Sequence, residues 1–246
     1  MRLLPSLLLA AALAVPVTAA TAEDIDPQAL LTKIDDAGRS DSSTASVTMH
    51  VKTKRYERTM KMQNWTQGTE RSLIKILEPA KDAGITVLKV DDNLWNYLPN
   101  TDRTMKVPGA MMSGAWMGSH LTNDDLVRET RFSEDYTFTL GTSPNEGQAL
   151  IVCTPKPDAP VPWGKVEVVA ELDGVPVKQV FYDEDGEAVR ALEFSDIREI
   201  NGTRVAMSMK VVPYEKPGEF TEFRFDELIL DAPVDASLFS LQALGK

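Results

Sequence analysis

The sequence has little of the chemistry on which most metal proteins and disulfide-rich proteins depend. It contains one cysteine and two histidines in 246 residues. A lone cysteine cannot form an internal disulfide, and Cys153 lies in an apolar, strand-like run. A buried hydrophobic role fits it best, with a reactive thiol as the alternative. A zinc site needs about four clustered ligands, and neither His50 nor His120 has a second ligand at that spacing. We predict no metal and no other cofactor.

Motifs for nucleotide binding and nucleophilic catalysis are also missing. There is no P-loop and no Rossmann glycine pattern. Ser119 directly precedes His120, so the two side chains are poorly placed to act on one reacting atom, and no Gly-x-Ser-x-Gly elbow surrounds them. The acidic pair Asp124 and Asp125 fits the first turn of a helix. We predict no catalytic residues and a protein that is not an enzyme; a hydrolase is the least favoured alternative.

Positive charge is scarce relative to negative charge. Lys and Arg number 26 against 37 Asp and Glu, which gives a formal net charge of −11. Such an acidic chain disfavours nucleic acid and anionic membrane surfaces as direct partners. Beyond the N terminus, no stretch approaches the roughly 20 apolar residues that a transmembrane helix needs. We therefore predict no nucleic-acid partner and no stable insertion into a membrane.

The one long apolar run lies at the N terminus. Arg2 supplies a positive charge, an apolar stretch follows from Leu3 to Val15, and Ala20-Thr21-Ala22 fits the small-x-small cleavage rule. These features predict a cleavable signal peptide over residues 1–22 and a single exported, periplasmic domain over residues 23–246. The alternative is that the apolar run is retained as an N-terminal anchor.

The rest of the chain shows the two-residue alternation that is typical of half-buried strands. Val47, Met49 and Val51 alternate with polar neighbours, and short segments of the same kind recur as far as Leu228. We count about eleven strands, mostly adjacent in sequence, with few helices between them. The pattern predicts a mainly β fold, in which an antiparallel meander curves into a half-barrel or barrel.

Two helices are expected among the strands. Asp26 suits the N-cap of a helix that reaches Ile34, with Pro27 at its first position and Gly38 at its end. Thr122 is placed to cap a second, short helix whose first turn is acidic.

A methionine-rich segment, Gly109–Gly118, lies between two groups of strands. We call it the flap. It contains Met111, Met112, Trp116 and Met117 and shows no strand alternation. Methionine is flexible and suits surfaces that accept varied apolar shapes, and glycines at both ends can act as hinges. We predict that the flap and short helices form a lid over an apolar cavity.

Apolar side chains on the strands are expected to face this lid. A methionine side chain does not enforce one particular packing arrangement, and this property suits a pocket for mixed acyl chains. For each methionine, the alternative is that it simply fills the core. The predicted lipid-binding residues are Met49, Met60, Met62, Trp65, Leu88, Trp95, Tyr97, Met111, Met112, Trp116, Met117 and Leu126.

Several short motifs resemble the outer membrane lipoprotein-sorting protein family, the LolA-like proteins of the periplasm. The resemblance covers essentially residues 23–246, and His120 departs from it, because an acid follows Gly-Ser in the family pattern. The motifs are Leu88-Lys89-Val90, Leu94-Trp95-Asn96-Tyr97-Leu98-Pro99, Met117-Gly118-Ser119, Thr122-Asn123-Asp124-Asp125-Leu126, Asp185-Gly186, Leu192-Glu193-Phe194-Ser195-Asp196, Asn201-Gly202 and Ser237-Leu238-Phe239-Ser240.

This resemblance implies a curved antiparallel half-barrel, capped by short helices, whose hydrophobic cavity takes acyl chains. It implies a periplasmic carrier that moves a lipid or lipoprotein between membranes, or to and from an inner-membrane transporter of the RND/MMPL or ABC type. The alternative is a periplasmic regulator or transporter-accessory module that uses the same fold to bind a protein partner.

Overall fold

The computed structural model describes residues 25–37, 39–128 and 131–245. The predicted signal peptide and Gly38 lie outside the described residues. The helices are α1 (Pro27–Asp36), α2 (Asn123–Val127) and α3 (Phe132–Asp135). The strands are β1 (Ser42–Lys52), β2 (Glu57–Gln67), β3 (Arg71–Glu78), β4 (Thr86–Val90), β5 (Asn93–Leu98), β6 (Arg103–Lys106), β7 (Tyr136–Leu140), β8 (Gln148–Pro155), β9 (Lys165–Glu171), β10 (Pro176–Tyr182), β11 (Ala188–Ile200), β12 (Thr203–Pro213) and β13 (Phe220–Leu230).

The mainly β, antiparallel architecture is confirmed, with one correction to the strand count. The sequence predicts about eleven strands, and the described part of the chain has thirteen. The edge strands β6 and β7 span only 4 and 5 residues. Each of them pairs with a single neighbouring strand, because they form the two edges of the sheet.

All the strands belong to one curved, open sheet, and their order decides where the flap lies. The order is β6-β5-β4-β3-β2-β1-β13-β12-β11-β10-β9-β8-β7. The chain therefore runs outward from central β1 to the edge strand β6, and later returns from the opposite edge, β7, to β13 beside β1. Residues 107–128 and 131–135 belong to the stretch of chain that crosses from one edge to the other. We call them the crossing segment; it contains the flap, α2 and α3.

The side-chain alternation of the strands separates two faces of the sheet. On the inner face, Met49 and Met60 are fully buried in a cluster that includes Trp116 of the crossing segment. The same face continues under α1 and α3, where Leu192 packs against both neighbouring clusters. On the outer face, Leu88 packs with residues of the C-terminal segment 232–245. The sheet therefore has a core on each side.

Both predicted helix starts are confirmed. The side chain of Asp26 accepts hydrogen bonds from the backbone N–H groups of Gln28 and Ala29, and Pro27 begins α1. Thr122 caps α2 in a capping box, in which the Thr122 hydroxyl accepts from the Asp125 backbone N–H at 3.1 Å. In return, the Asp125 carboxylate accepts from the Thr122 backbone N–H at 2.8 Å.

Candidate functional site

An apolar cavity of about 270 Å³ lies between the inner face and the crossing segment. An engineered cavity of about 150 Å³ is already large enough to bind benzene in another protein. The space therefore suits a segment of hydrocarbon. Its lining comprises Val47, Met62, Asn64, Ile74, Phe194, Ala206, Met209, Phe223 and Phe225 of the sheet, and Trp116, Leu121 and Leu126 of the crossing segment.

Strand register brings large apolar side chains into one row beneath the cavity. Phe223 on β13 lies opposite Met209 on β12 and Met49 on β1. The row extends in one direction from Met209 to Phe194 on β11. In the other direction it extends from Met49 to Met60 on β2. Directly opposed side chains are close enough to touch, so the row is continuous, and its members Phe194, Met209 and Phe223 form the apolar floor of the cavity.

Trp116 covers this floor. Its residue is 3% exposed, and its ring stacks on Phe223 with centroids 6.3 Å apart and an interplanar angle of 19°. The Trp116 backbone N–H donates to the Leu121 carbonyl at 2.7 Å, which closes a tight loop. Inside this loop, Met117 has φ of +48° and Gly118 has φ of +70°. This left-handed backbone reverses the chain directly after the indole.

Gly118 is the flap glycine whose conformation matters most. A Cβ at this position would lie 2.8 Å from the hydroxyl of Tyr56. That hydroxyl donates a hydrogen bond to the Gly118 carbonyl at 2.5 Å. Positive φ and this close approach both require glycine here, so the loop is docked against the start of β2.

His120 ties the crossing segment to the β12–β13 end of the sheet. Its Nδ1 lies 2.8 Å from the hydroxyl of Thr221, and its Nε2 lies 3.1 Å from Oε2 of Glu219. The Glu219 carboxylate also accepts from the Lys54 backbone N–H, and this bond together with the His120 bond lowers the pKa of Glu219. The ring of His120 thus engages Thr221 and Glu219 rather than Ser119.

A second polar anchor joins α2 to β11. Arg190 donates two hydrogen bonds to the Asp125 carboxylate, at 2.6 and 2.9 Å. Burial of Asp125 favours its neutral form, but the bonds from Arg190 and Thr122 outweigh burial and lower its pKa. The pair is therefore ionised at neutral pH and holds the edge of the lid to the sheet.

Two residues that line the cavity also carry a buried polar atom without a partner. Trp116 Nε1 and Asn64 Oδ1 are buried and have no hydrogen-bond partner within the described part of the chain. On the sheet, Asn64 lies opposite Ala45 and Ile74, neither of which has a polar side chain. A buried polar group left unpaired costs roughly 1–3 kcal/mol, so burial of these two atoms lowers the stability of the fold.

The structure brings several of the predicted site residues together on the inner face. They form one cluster, in which Met62, Trp116 and Leu126 line the cavity itself. Met111 differs, because it is 60% exposed on the outside of the flap. The remaining members of the cluster from the predicted set are Met49, Met60, Met112 and Met117.

The structure does not bring the other four predicted residues into this cavity. Trp65, Leu88 and Trp95 lie in one cross-strand row with Leu73, on the outer face of the sheet. Tyr97 follows Trp95 by two residues and shares that face. They pack in the outer cluster beneath the C-terminal segment. Strands that are apolar on both sides hide which face a residue occupies, and sequence reasoning merged the two.

Sequence reasoning also missed residues from the far half of the sheet. Phe194, Met209, Phe223 and Phe225 line the cavity, and Leu121 joins them from the crossing segment. Phe223 and Phe225 alternate visibly along their strand, which was the available signal. Their position beside β1 depends on the pairing of β13 with β1, which no local pattern reveals.

The described residues offer little support for other chemistry. They contain no group of three or more His, Cys, Asp or Glu side chains that could hold a metal ion. The Ser119 hydroxyl is 3.1 Å from the Leu121 backbone N–H, from which it accepts within its own loop. None of the helices in residues 25–37, 39–128 and 131–245 is both long and apolar enough to cross a membrane.

Comparisons with known proteins show where this fold occurs. A family model described as "-like: Uncharacterized protein" matches residues 68–246. A DUF1329 family protein from Desulfovibrio piger is 22% identical, with a TM-score of 0.77 over 88% of this chain and 97% of that one. A putative outer membrane lipoprotein-sorting protein domain from Vibrio parahaemolyticus is 20% identical, with a TM-score of 0.76 over 89% and 98%.

A LolA superfamily protein from Nitrosomonas europaea is 21% identical, with a TM-score of 0.71 over 88% of this chain and 98% of that one. A search of curated proteins found no match. At these identities the likeness concerns the fold, which is shared over nearly the whole length of each structure.

Proposed function

We propose that this chain is a carrier of acyl chains. It belongs to the family whose model it matches over residues 68–246, and it has the LolA-like fold of outer membrane lipoprotein-sorting proteins. The observation that carries the proposal is the apolar cavity of about 270 Å³ beneath Trp116. A hydrocarbon segment would lie on the row of phenylalanine and methionine side chains, with the crossing segment above it.

The size of the cavity agrees with useful affinity. Each methylene moved out of water contributes about 0.8 kcal/mol. A segment of about six methylenes would therefore contribute roughly 5 kcal/mol before the ordering of ligand and lid is subtracted. Met112 and Met117 of the flap pack only partly buried against the same cluster. The flexible side chains of Met62 and Met209, which line the cavity, suit a carrier that accepts chains of different shape.

The cargo in this proposal is a lipid or a lipoprotein. The N-terminal sequence features of a signal peptide support a periplasmic location, where acyl chains must be shielded from water between membranes. A carrier of this kind receives and delivers its cargo at membranes, and an inner-membrane transporter of the RND/MMPL or ABC type is the partner we propose.

Charge placed in the cavity tests the carrier function. Trp116→Glu should weaken binding of a fluorescent fatty acid by at least about tenfold, because an unpaired carboxylate disfavours hydrocarbon beside it. Trp95→Glu is the matched control, since Trp95 lies on the outer face, and it should bind as the wild type does. Circular dichroism and thermal melting would establish that both variants fold.

Equal binding by the wild type and folded Trp116→Glu would remove the cavity from the proposal. If the wild type binds no acyl probe, and native mass spectrometry of protein from its own periplasm shows a protein complex without lipid, the carrier is excluded. The interaction-module alternative then takes its place.

A further inference from the structure

A second cavity, of about 370 Å³, adjoins the apolar one on the inner face of the sheet. Leu121 of the crossing segment and Met209 of β12 line both cavities. The two spaces therefore meet at these side chains, and a chain too long for the apolar cavity can extend past them into the second. We call the second space the polar cavity, because Gln179 and several charged side chains line it.

Gln179 on β10 presents an unpaired amide to the polar cavity. It is 8% exposed, and its side chain has no hydrogen-bond partner within the described part of the chain. Across the strands it lies opposite Leu192 and Val168, which are apolar. Unlike Asn64 Oδ1, neither polar atom of Gln179 is wholly enclosed by protein, so a group in the cavity can reach the amide.

Arg190 lies beside Gln179 and is held in place by other contacts. It is the diagonal neighbour of Gln179 on β11, and side chains so placed are within reach of one another. Its guanidinium bonds to the Asp125 carboxylate and lies 4.8 Å from the centroid of the Trp163 ring. Because Asp125 neutralises this guanidinium, the free hydrogen-bonding capacity at this point of the cavity belongs to Gln179.

The other charges of the polar cavity are also matched. Asp124 pairs with Arg128 at 2.7 Å, and Asp35 accepts from the backbone N–H groups of Phe132 and Ser133 at 3.0 and 2.9 Å. A charged head group would lose hydration here without gaining an unpaired opposite charge among the described residues. A neutral acceptor, by contrast, can take the N–H donors of Gln179. The charged side chains of the lining are Asp35, Asp124, Asp125, Arg39, Arg128 and Arg190.

We propose that the polar cavity holds the carbonyl of the ester or amide linkage that joins an acyl chain to its head group, and that the Gln179 amide donates to this carbonyl. This inference rests on the carrier function proposed above and adds a subsite for the polar end of the cargo. Esters and N-acyl amides share the carbonyl, but only the amide also offers an N–H to Gln179 Oε1.

Competition with a fluorescent fatty acid tests the subsite. The ligands are undecane, methyl octanoate and N-methyloctanamide, which have equal numbers of non-hydrogen atoms. For each protein, the affinity of each carbonyl ligand is expressed relative to that of undecane, so that changes affecting all hydrocarbon chains cancel.

Gln179→Met removes the amide and keeps the approximate length of the side chain. It should lower the relative affinity of the carbonyl ligands by about fivefold, the effect of one hydrogen bond, while undecane still binds. Thermal melting should show that the variant folds, because no described residue pairs with the amide.

Gln63→Met is the matched control. Gln63 lies on β2, where its side chain accepts from the Ser46 hydroxyl at 3.0 Å, and it lines neither cavity. The relative affinities should change by less than about twofold in this variant.

Infrared spectroscopy provides a readout that a purely structural role of Gln179 would not move. The carbonyl band of bound methyl octanoate should lie at a lower frequency in the wild type than in Gln179→Met, because a donated hydrogen bond weakens the C=O bond.

The possible outcomes separate the two proposals. If all three ligands bind and Gln179→Met leaves both relative affinities unchanged, the carrier stands and the subsite is overturned. An equal fall in Gln63→Met also overturns it. A fall confined to Gln179→Met supports it, and the ligand that loses more affinity, ester or amide, identifies the linkage of the cargo. If the wild type binds none of the ligands, the carrier function fails, and the subsite fails with it.

Discussion

At the scale of single residues, register rather than side-chain chemistry decides what each aromatic residue does. Trp116 is 3% exposed and stacks on Phe223 over the inner cavity. Trp95 lies on the other side of the sheet, where the Lys106 ammonium is 5.8 Å from the centroid of its ring. The same residue type therefore serves as a cavity wall in one case and as an outer-face contact in the other.

The single cysteine gives a prediction at this scale. Cys153 is fully buried, and burial, with a smaller contribution from the charge of Asp35, raises the pKa of its thiol to about 12. At about pH 8, where a free thiol is partly ionised, the native protein should not react with Ellman's reagent. Denaturation in guanidinium should release one reactive thiol. Rapid reaction of the native protein would instead support the reactive-thiol alternative.

The raised pKa of Cys153 also sets the sign of a pH effect on stability. In the unfolded chain the thiol ionises near about pH 8.5, whereas in the folded protein it stays protonated until about pH 12. Between these values the folded state binds more protons, so the free energy of unfolding falls as pH rises. Cys153→Ala should lose this part of the alkaline decline in urea titrations.

At the scale of elements, paired polar groups fix the crossing segment at several places, and two of them involve ionisable side chains. His120 reaches Thr221 and Glu219, and Asp125 reaches Arg190. The Arg190 guanidinium also lies 4.8 Å from the centroid of the Trp163 ring. Between these anchors, the Asn123 side chain donates to the carbonyls of Met111 and Gly114 at 3.0 and 3.2 Å, so polar contacts also join the flap to the start of α2.

The Asp125–Arg190 anchor is predicted to stabilise the lid strongly. The two side chains are 21% and 11% exposed, so removing one partner leaves a largely buried charge alone. Arg190→Met should lower the free energy of unfolding by about 3 kcal/mol in urea titrations. Arg128→Met should cost less than about 1 kcal/mol, because its pair with Asp124 is more exposed. If both variants lost the same free energy of unfolding, the buried pair would contribute no more to stability than the exposed pair.

At the scale of the whole molecule, two meanders meet where β1 pairs with β13, and this meeting sets the position of everything else. It forces the crossing segment over the inner face and leaves the outer face of β2–β5 to the C-terminal segment. Phe239 and Leu244 of that segment pack with Leu73 and Leu88. The protein thus has two apolar clusters on opposite sides of one sheet.

The C-terminal segment should contribute stability without contributing to acyl binding. Phe239 is 7% exposed, and Phe239→Ala should lower the free energy of unfolding by about 3 kcal/mol through loss of contact and a residual cavity. Leu241 is 50% exposed, and Leu241→Ala should change the free energy of unfolding by no more than about 0.5 kcal/mol. Both variants should bind fatty acid as the wild type does. Weakened binding by folded Phe239→Ala would mean that the two faces are coupled.

The sequence by itself determined the features that depend on neighbouring residues. The strands follow from two-residue alternation, as in Val47, Met49 and Val51, and the helix starts follow from the capping groups Asp26 and Thr122. A helix cap can be predicted from the sequence because its hydrogen bonds join residues a few positions apart. A strand can be predicted because its burial pattern repeats every two residues. The β class and the methionine-rich flap were therefore predictable.

Only the tertiary structure decided which apolar residues meet. The pairing of β13 with β1 brings Phe223 to Met49, and the cross-strand row on the other face takes Trp65, Leu88 and Trp95 away from the cavity. A shift of one residue in register exchanges the faces of a strand, and partners are chosen among strands far apart in the chain. No local pattern contains that choice, so the cavity exists only in the folded sheet.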